Sequence, residues 1–145
     1  MIFDRDQKTI ITELYLLALC IWREAQNQSL LAKAGQAWTI RNRVSKPCWW
    51  GQGWHGVITK HEQFSAFNAE DPNVQKFPNV NDAAWSDCWD VADSVYNEQI
   101  PDPTFGATHY FDKSLDADPP AWATDGSMEK TAEIGDFRFW KAVTA

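Results

Sequence analysis

Apolar residues recur at helical spacing in three segments before Pro101, and the pattern changes to that of short strands afterwards. This periodicity predicts helices over residues 9–26, 30–44 and 83–96. Side chains that favour helix N-caps precede the last two segments: Ser29, and Asn81 or Asp82. The first hundred residues are therefore expected to be mainly helical.

The second predicted helix contains a glycine in its interior, where glycine weakens a helix. Its apolar face is expected to bury Leu30, Ala34, Ala37, Ile40 and Val44. Gly35 lies beside that face and costs helix stability, so we expect it to let another backbone come close.

Strand signals dominate the last third of the chain. Residues 107–111 (ATHYF) are typical of a short strand. Residues 130–134 and 137–143 flank Gly135-Asp136, which is a two-residue hairpin signal. No internal repeat or linker interrupts the chain, so residues 1–145 are expected to form one α+β domain, helices first and a small antiparallel sheet after them.

The connecting segments carry several of the unusual residues. We expect a Gly- and Trp-rich loop (CWWGQGWHG) at residues 48–56, a short helix and turn containing Gln63-Phe64-Ser65 at 57–68, and a surface loop at 69–80. A second loop is expected at 112–118 and a rigid turn at 119–122.

Length and charge exclude several classes of function. The chain has 145 residues, which suits one domain. Its formal net charge of -7 argues against a whole-chain grip on nucleic acid and against an anionic membrane as the main partner. The most apolar run, residues 14–22, is much shorter than the roughly 20 residues of a membrane span.

The N-terminus and the cysteines indicate where the protein is made. Residues 1–8 mix acids and bases and lead to no small-residue cleavage site, so no signal peptide is expected. Cys20 and Cys88 fall on apolar helical stripes and are expected to be buried thiols, whereas Cys48 lies in a loop. Three cysteines cannot all pair internally, which favours synthesis in the cytoplasm.

The chain contains nine tryptophans, several of them clustered. Some must fill the core, because aromatic rings bury large apolar areas. Others are candidates for a sugar-binding cleft, where a flat ring stacks on the C–H face of a pyranose. Core filling remains the alternative for each of them.

Glu24 is the most informative single residue. Leu14, Leu17 and Ile21 follow one another at intervals of three and four, and the next position of that stripe is Glu24. Apolar neighbours and the negative end of the helix dipole both favour a protonated carboxyl, as a general acid near neutral pH requires. The alternative is that Glu24 pairs with Arg23, Arg41 or Arg43.

Several motifs occur in the order found in one family of enzymes. Their order resembles that of the SleB-type cell-wall hydrolases, the spore-cortex-lytic enzyme family. The matching segments are Glu24-Ala25, Asn42-Arg43-Val44, Gln63-Phe64-Ser65, GATHYF at 106–111, Pro119-Pro120 with Trp122-Ala123, and Ile134-Gly135 followed by Arg138-Phe139-Trp140. The resemblance covers nearly all of the chain.

The resemblance implies a lysozyme-like α+β fold that cuts peptidoglycan glycan strands between N-acetylmuramic acid and N-acetylglucosamine. Glu24 corresponds to the family's catalytic acid. In a lytic transglycosylase one carboxyl suffices, and it acts first as acid and then as base. A hydrolytic muramidase with the same Glu is the alternative, and it needs a second carboxylate. Those available have no motif to support them: Glu62, Asp112, Glu133 and Asp136.

The same resemblance implies the other site residues. The side chains expected to contact the glycan are Gln63, Ser65, His109, Tyr110 and Trp122. Tyr110 is expected either to stack on a sugar or to orient Glu24, and the alternative for His109 is a structural hydrogen bond in the sheet. Structural roles are expected for the remaining motif residues: core packing for Phe64 and Phe111, backbone hydrogen bonds for Asn42, and pairing with an acid for Arg43.

The chain departs from the family pattern at three places. The family often reads E-A-R-G-E, and here the second acid is replaced by Gln28. Asp136-Phe137 stand where the family often has Asn-His after Ile-Gly. The Trp-rich segment 48–55 is expected to change a glycan subsite.

Other functions have weaker support in the sequence. A metal site from Cys48, His55, His61 and Glu62 matches no known ligand spacing, so no metal or cofactor is expected. A Ser or Cys nucleophile lacks a G-x-S-x-G motif. A non-catalytic glycan-binding module remains an alternative. The expected setting is a monomeric, phage-encoded lysin released on to the cell wall, with a secreted bacterial enzyme as the alternative.

Overall fold

The computed structural model describes residues 6–25, 27–60, 77–79 and 81–143. Helices come first and a three-stranded antiparallel sheet follows, which confirms the predicted α+β arrangement. No helix in these ranges is long and apolar enough to cross a membrane. The elements are α1 Gln7–Ala25, α2 Leu30–Ser45, α3 Gly53–Thr59, α4 Ala83–Tyr96, β1 His109–Asp112, a 3-10 turn Lys113–Leu115, α5 Ala121–Thr124, β2 Met128–Ile134 and β3 Phe137–Ala142.

The helices begin at the predicted caps. The Ser29 side chain accepts a hydrogen bond from the backbone N–H of Ala32 at 3.1 Å, and Asp82 accepts one from Ala84 at 2.9 Å. Each bond satisfies a backbone donor that has no partner within its helix. The sequence therefore places the start of α2 and of α4 correctly.

The predicted apolar stripes form the main core between α1, α2, α3 and α4. Leu17 and Ile21 of α1 are fully buried, as are Cys88 and Val95 of α4. The prediction that α2 buries Leu30 is wrong, since that side chain is 57% exposed. Leu30 is the first residue of α2, and it lines a surface groove together with Asp87, Asp90 and Val91 of α4.

A second, smaller core joins the helices to the sheet. The strand order is β1-β3-β2, and Tyr110 of β1 lies opposite Phe139 of β3. Phe139 is fully buried and packs on Gly35 of α2, where an added Cβ would lie 2.7 Å from the ring. The expected close approach at Gly35 is therefore made by an aromatic ring and not by a backbone.

Three of the predicted loops and turns contain helical residues. Helix α3 begins at Gly53, inside the predicted loop, because Trp54, Val57 and Ile58 supply a buried face. The prediction for residues 61–68 lies outside the described residues. The predicted turn at 119–122 leads into the single helical turn α5, and the loop at 112–118 contains the 3-10 turn. Cys20 and Cys88 are buried, as predicted, and Cys48 is exposed.

Candidate active site

A cleft of about 1020 Å³ lies where the end of α1 meets the sheet and the Trp-rich loop. Its walls come from parts of the chain that are far apart in sequence. The lining residues include Glu24, Arg43, Cys48, Trp49, Trp50, Thr108, His109, Tyr110, Phe111, Asp112 and Trp122. The structure thus brings together the predicted site residues Glu24, His109, Tyr110 and Trp122.

Glu24 stands in the last turn of α1, one residue before the helix ends at Ala25. Its side chain is half-buried on the cleft wall. The apolar stripe of α1 carries it there, because Leu17 and Ile21 on the same stripe are fully buried. Glu24 therefore occupies the position that the stripe predicted. That its carboxyl is protonated near neutral pH stays a prediction.

Tyr110 lies on β1 and faces the same cleft. Its phenol oxygen accepts a hydrogen bond from Nε2 of Gln36 at 3.1 Å. Burial raises the pKa of Tyr110 well above its ordinary value, and the charge of Glu24 raises it further. Tyr110 is therefore a neutral phenol next to the catalytic candidate. Gln36, fully buried in α2, was not predicted to be near the site.

His109 is an uncharged part of the cleft wall. Its Nδ1 lies 2.9 Å from Oγ1 of Thr108. Burial lowers the pKa of His109 from 6.5 to about 4, and the Arg43 guanidinium adds to that effect. At neutral pH the imidazole carries no charge. The contact with Thr108 agrees with the structural alternative for His109, and its position on the cleft leaves the substrate role open.

Asn42 and Arg43, at the end of α2, hold the strand that carries the site. Asn42 donates from Nδ2 to the carbonyl of Ala107 at 2.8 Å, which confirms the predicted backbone role. Arg43 donates from Nε to the carbonyl of Thr108 at 2.6 Å. Burial lowers the pKa of Arg43 to about 10, so it remains a cation at neutral pH. Together they fix the start of β1 against α2.

Aromatic rings form another part of the cleft wall. The ring centroids of His109 and Trp122 are 4.9 Å apart, and those of His109 and Trp49 are 6.1 Å apart. Trp49 was not among the predicted contact residues. The signal that could have found it is the Trp pair at the start of the Gly-rich loop.

The candidate second carboxylates differ in their surroundings. Asp112 lines the cleft, and its Oδ1 accepts a hydrogen bond from the backbone N–H of Ser114 at 2.9 Å. Glu133 and Asp136 are ion-paired with Lys130 and Lys113 and are not among the cleft residues. Glu62, Gln63 and Ser65 lie outside the described residues.

Comparison with known proteins places the chain in a family. The sequence pattern of the Cell Wall Hydrolase family matches residues 27–140. The chain belongs to this family. The predicted class of enzyme, a cell-wall hydrolase, is thereby confirmed, although the match begins after Glu24. No curated protein sequence matches the chain.

The fold of this cell wall hydrolase is similar to two solved structures. One is the catalytic domain of the germination-specific lytic transglycosylase SleB from Bacillus anthracis, with a TM-score of 0.69, 22% identity, and coverage of 97% of this chain and 100% of that one. The other is the catalytic domain of the Bacillus cereus SleB protein, with a TM-score of 0.66, 22% identity, and coverage of 97% and 95%. These likenesses confirm the predicted lysozyme-like fold class.

Two of the departures from the family pattern contact each other in this cell wall hydrolase. Gln28 donates from Nε2 to Oδ2 of Asp136 at 2.9 Å, and its Oε1 accepts from the Asp136 backbone N–H at 3.3 Å. Neither residue is among those lining the cleft. Gln28 therefore ties the segment after α1 to the turn of the β2–β3 hairpin.

Proposed function

We propose that the protein cleaves peptidoglycan glycan strands between N-acetylmuramic acid and N-acetylglucosamine as a lytic transglycosylase, with Glu24 as general acid and then base. The observation that carries the proposal is the position of Glu24: a half-buried carboxyl at the end of a helix, on the wall of a large aromatic cleft. Family membership supports cell-wall cleavage. One structural neighbour is a lytic transglycosylase, which supports the reaction type.

The proposed reaction needs one proton and no water. Glu24 gives its proton to the glycosidic oxygen, and the electron pair of the bond to C1 of the muramoyl residue leaves with that oxygen. C1 then has oxocarbenium character. The C6 hydroxyl of the same residue attacks C1, and its proton passes to the Glu24 carboxylate. The products are a 1,6-anhydromuramoyl end, a new N-acetylglucosamine hydroxyl end and regenerated Glu24.

The surroundings of Glu24 suit this cycle. The cycle starts from protonated Glu24, and the position of this carboxyl at the C-terminal end of α1 is where the helix dipole is expected to favour that form. Tyr110 stays neutral across the physiological range, so it offers a phenol and not a second negative charge. The Gln36 amide donates a hydrogen bond to the phenol oxygen and so fixes its position. Tyr110 is thus proposed to orient the carboxyl of Glu24.

The cleft carboxylates favour a transglycosylase over a muramidase. Within the part of the chain that the structure describes, Glu24 and Asp112 are the carboxylates that line the cleft. A hydrolytic enzyme would need Asp112, or a residue such as Glu62, to activate water. Asp112 is exposed and caps the 3-10 turn through Oδ1, which gives it a structural use. One-carboxyl chemistry is therefore the preferred mechanism.

Release of soluble fragments from purified peptidoglycan tests the proposal. We expect Glu24→Gln to lose at least about 100-fold in rate, since positioned proton transfer contributes roughly 10²–10⁴-fold. Asp112→Asn is the matched control, because it also neutralises one cleft carboxylate, and it should retain most activity. An active Glu24→Gln variant would contradict the role of Glu24. An inactive Asp112→Asn variant with intact fold would favour the muramidase.

The remaining alternatives give different results in the same assay. A glycan-binding module would bind peptidoglycan and release nothing, whichever residue is changed. A metal enzyme would lose activity with a chelator, whereas the proposed mechanism predicts unchanged activity. Among the described residues no group of three His, Cys, Asp or Glu side chains is placed to hold a metal ion. Contacts of Gln63 and Ser65 with the glycan, and the phage setting, stay predictions.

A further inference from the structure

Trp49 is a large apolar side chain held exposed on the wall of the cleft. It is 55% exposed, whereas its neighbour Trp50 is 9% exposed. The indole N–H of Trp50 is shared between the carbonyls of Arg43 at 3.0 Å and Lys46 at 3.1 Å. Trp50 thus anchors the loop to the end of α2. The ring of the preceding residue, Trp49, lines the cleft.

The loop around Trp49 has a defined shape. The backbone N–H of Gly51 bonds to the carbonyl of Cys48 at 3.1 Å, which closes a tight turn. Gly51 has a φ of 109°, and a Cβ there would lie 2.8 Å from the carbonyl oxygen of Gly56. Only glycine fits this turn. The exposure of Trp49 is therefore built into the fold of the loop.

Trp49 continues a row of uncharged rings across the cleft. His109 lies between Trp49 and Trp122, at centroid distances of 6.1 Å and 4.9 Å. Trp122 packs in turn on Phe111 and Trp140, each at 6.0 Å. Because the pKa of His109 is about 4, no ring in the row carries a charge at neutral pH. Flat, uncharged, partly exposed rings suit the C–H faces of sugars.

The charges around the row select against an anionic ligand. Among the described residues that line the cleft, Arg43 is the cation, and it is buried and bonded to the Thr108 carbonyl. Asp112 contributes a carboxylate to the same cleft. An acidic sugar would therefore meet repulsion without an accessible positive partner, whereas a neutral sugar would meet none.

We propose that Trp49, His109 and Trp122 form a stacking subsite for neutral N-acetylglucosamine-type pyranose units, with Trp49 as its outer platform. The proposal rests on the proposed function for the identity of the glycan, but it concerns binding and requires no catalysis. Trp49 thereby becomes a substrate-binding residue, and the Trp-rich loop becomes the element that places it.

Calorimetric titration with the chitin tetramer, a neutral N-acetylglucosamine oligosaccharide, tests the subsite. Loss of a stacked ring is expected to weaken binding by about tenfold in Trp49→Ala. Trp49→Phe keeps a flat ring and should stay within about threefold of the parent. Phe105→Ala is the matched control, because Phe105 is 71% exposed and lies outside the cleft, and its affinity should be unchanged.

Several outcomes would overturn the subsite. These are wild-type affinity in a folded Trp49→Ala variant, no binding of the tetramer by the wild type, or equal binding of a hyaluronan tetramer, whose glucuronic acid units are negatively charged. Thermal unfolding of each variant checks the fold. Because the titration is independent of catalysis, an active Glu24→Gln variant would refute the proposed mechanism and leave this result standing.

Discussion

Replacement of Gly35 by alanine tests how the helices and the sheet are docked. An alanine Cβ at this position of α2 would lie 2.7 Å from Cζ of Phe139, 3.2 Å from its Cε2 and 3.3 Å from Cγ2 of Thr104. Phe139 and Thr104 are both fully buried, so neither side chain can move away without disturbing the core. The same strand, β3, pairs with Tyr110, which ties this contact to the cleft.

Two opposing terms set the size of the effect. Overpacking of a well-packed core costs about 1–3 kcal/mol. Alanine in place of glycine within a helix raises the free energy of unfolding by about 0.8–1.0 kcal/mol. We therefore expect Gly35→Ala to lower the free energy of unfolding by about 1 kcal/mol, which lowers Tm by about 2–4 °C for a chain of this size.

Urea unfolding at neutral pH measures this difference against a matched glycine. In helix α3, a Cβ added to Gly56 would have no heavy atom within 4 Å, so Gly56→Ala should be neutral or stabilising. A second change, Phe139→Leu, removes the crowded ring edge, and in its background Gly35→Ala should cost less. The reasoning fails if Gly35→Ala stabilises the protein as much as Gly56→Ala does.

Three further predictions concern the cleft. Gln36→Leu removes the hydrogen bond that fixes Tyr110, so we expect kcat to fall by about tenfold with little change in KM or Tm. His109 binds a proton in the unfolded state below pH 6.5 but in the folded state only near pH 4, so folding stability falls with acidification between these values. Urea unfolding should therefore show a fall in the free energy of unfolding between pH 7 and pH 4, and this fall should be about 1–3 kcal/mol smaller in His109→Gln. Cys48 is exposed on the cleft, so a bulky maleimide should attach there first and block peptidoglycan digestion, as mass spectrometry and activity would show.

Each of these predictions has a control and a contradicting result. Gln36→Asn keeps an amide donor and should lose less kcat than Gln36→Leu, and a large drop in Tm in both variants would mean a purely structural role. His55→Gln changes an exposed histidine, and an equal effect of it would contradict the assignment to His109. Cys48→Ser should make activity insensitive to the maleimide. Inhibition of Cys48→Ser by the maleimide would point to reaction at the buried thiols Cys20 and Cys88. Burial raises the pKa of both, to about 12 for Cys88.

Local patterns in the sequence predicted the features that depend on neighbouring residues. The stripe that ends at Glu24 follows from spacing along one helix, and the Ser29 cap and the Gly135 turn follow from local backbone chemistry. Helix α3 was missed at its start because glycine favours loops locally. Burial of Trp54 and Val57 outweighs that preference.

The features that were not predicted depend on residues distant in the chain. Nothing near Gly35 in the sequence indicates that the ring of Phe139 packs on it. The same holds for Gln36 and Tyr110, which meet only because the sheet docks on α2. Their partners are set by tertiary packing, which periodicity does not encode. The contribution of Trp49 to the cleft also needed the tertiary structure, because the motif alone did not show which ring is exposed.

Digestion of peptidoglycan in ¹⁸O-labelled water, with mass spectrometry of the soluble fragments, tests the central claim most directly. The proposed mechanism predicts 1,6-anhydromuramoyl ends that are lighter than the reducing ends by one water and carry no label, and Glu24→Gln should not form them. Labelled reducing ends would contradict transglycosylation, because the oxygen at C1 would then come from water. Unlabelled anhydro ends produced equally by Glu24→Gln would contradict the role of Glu24.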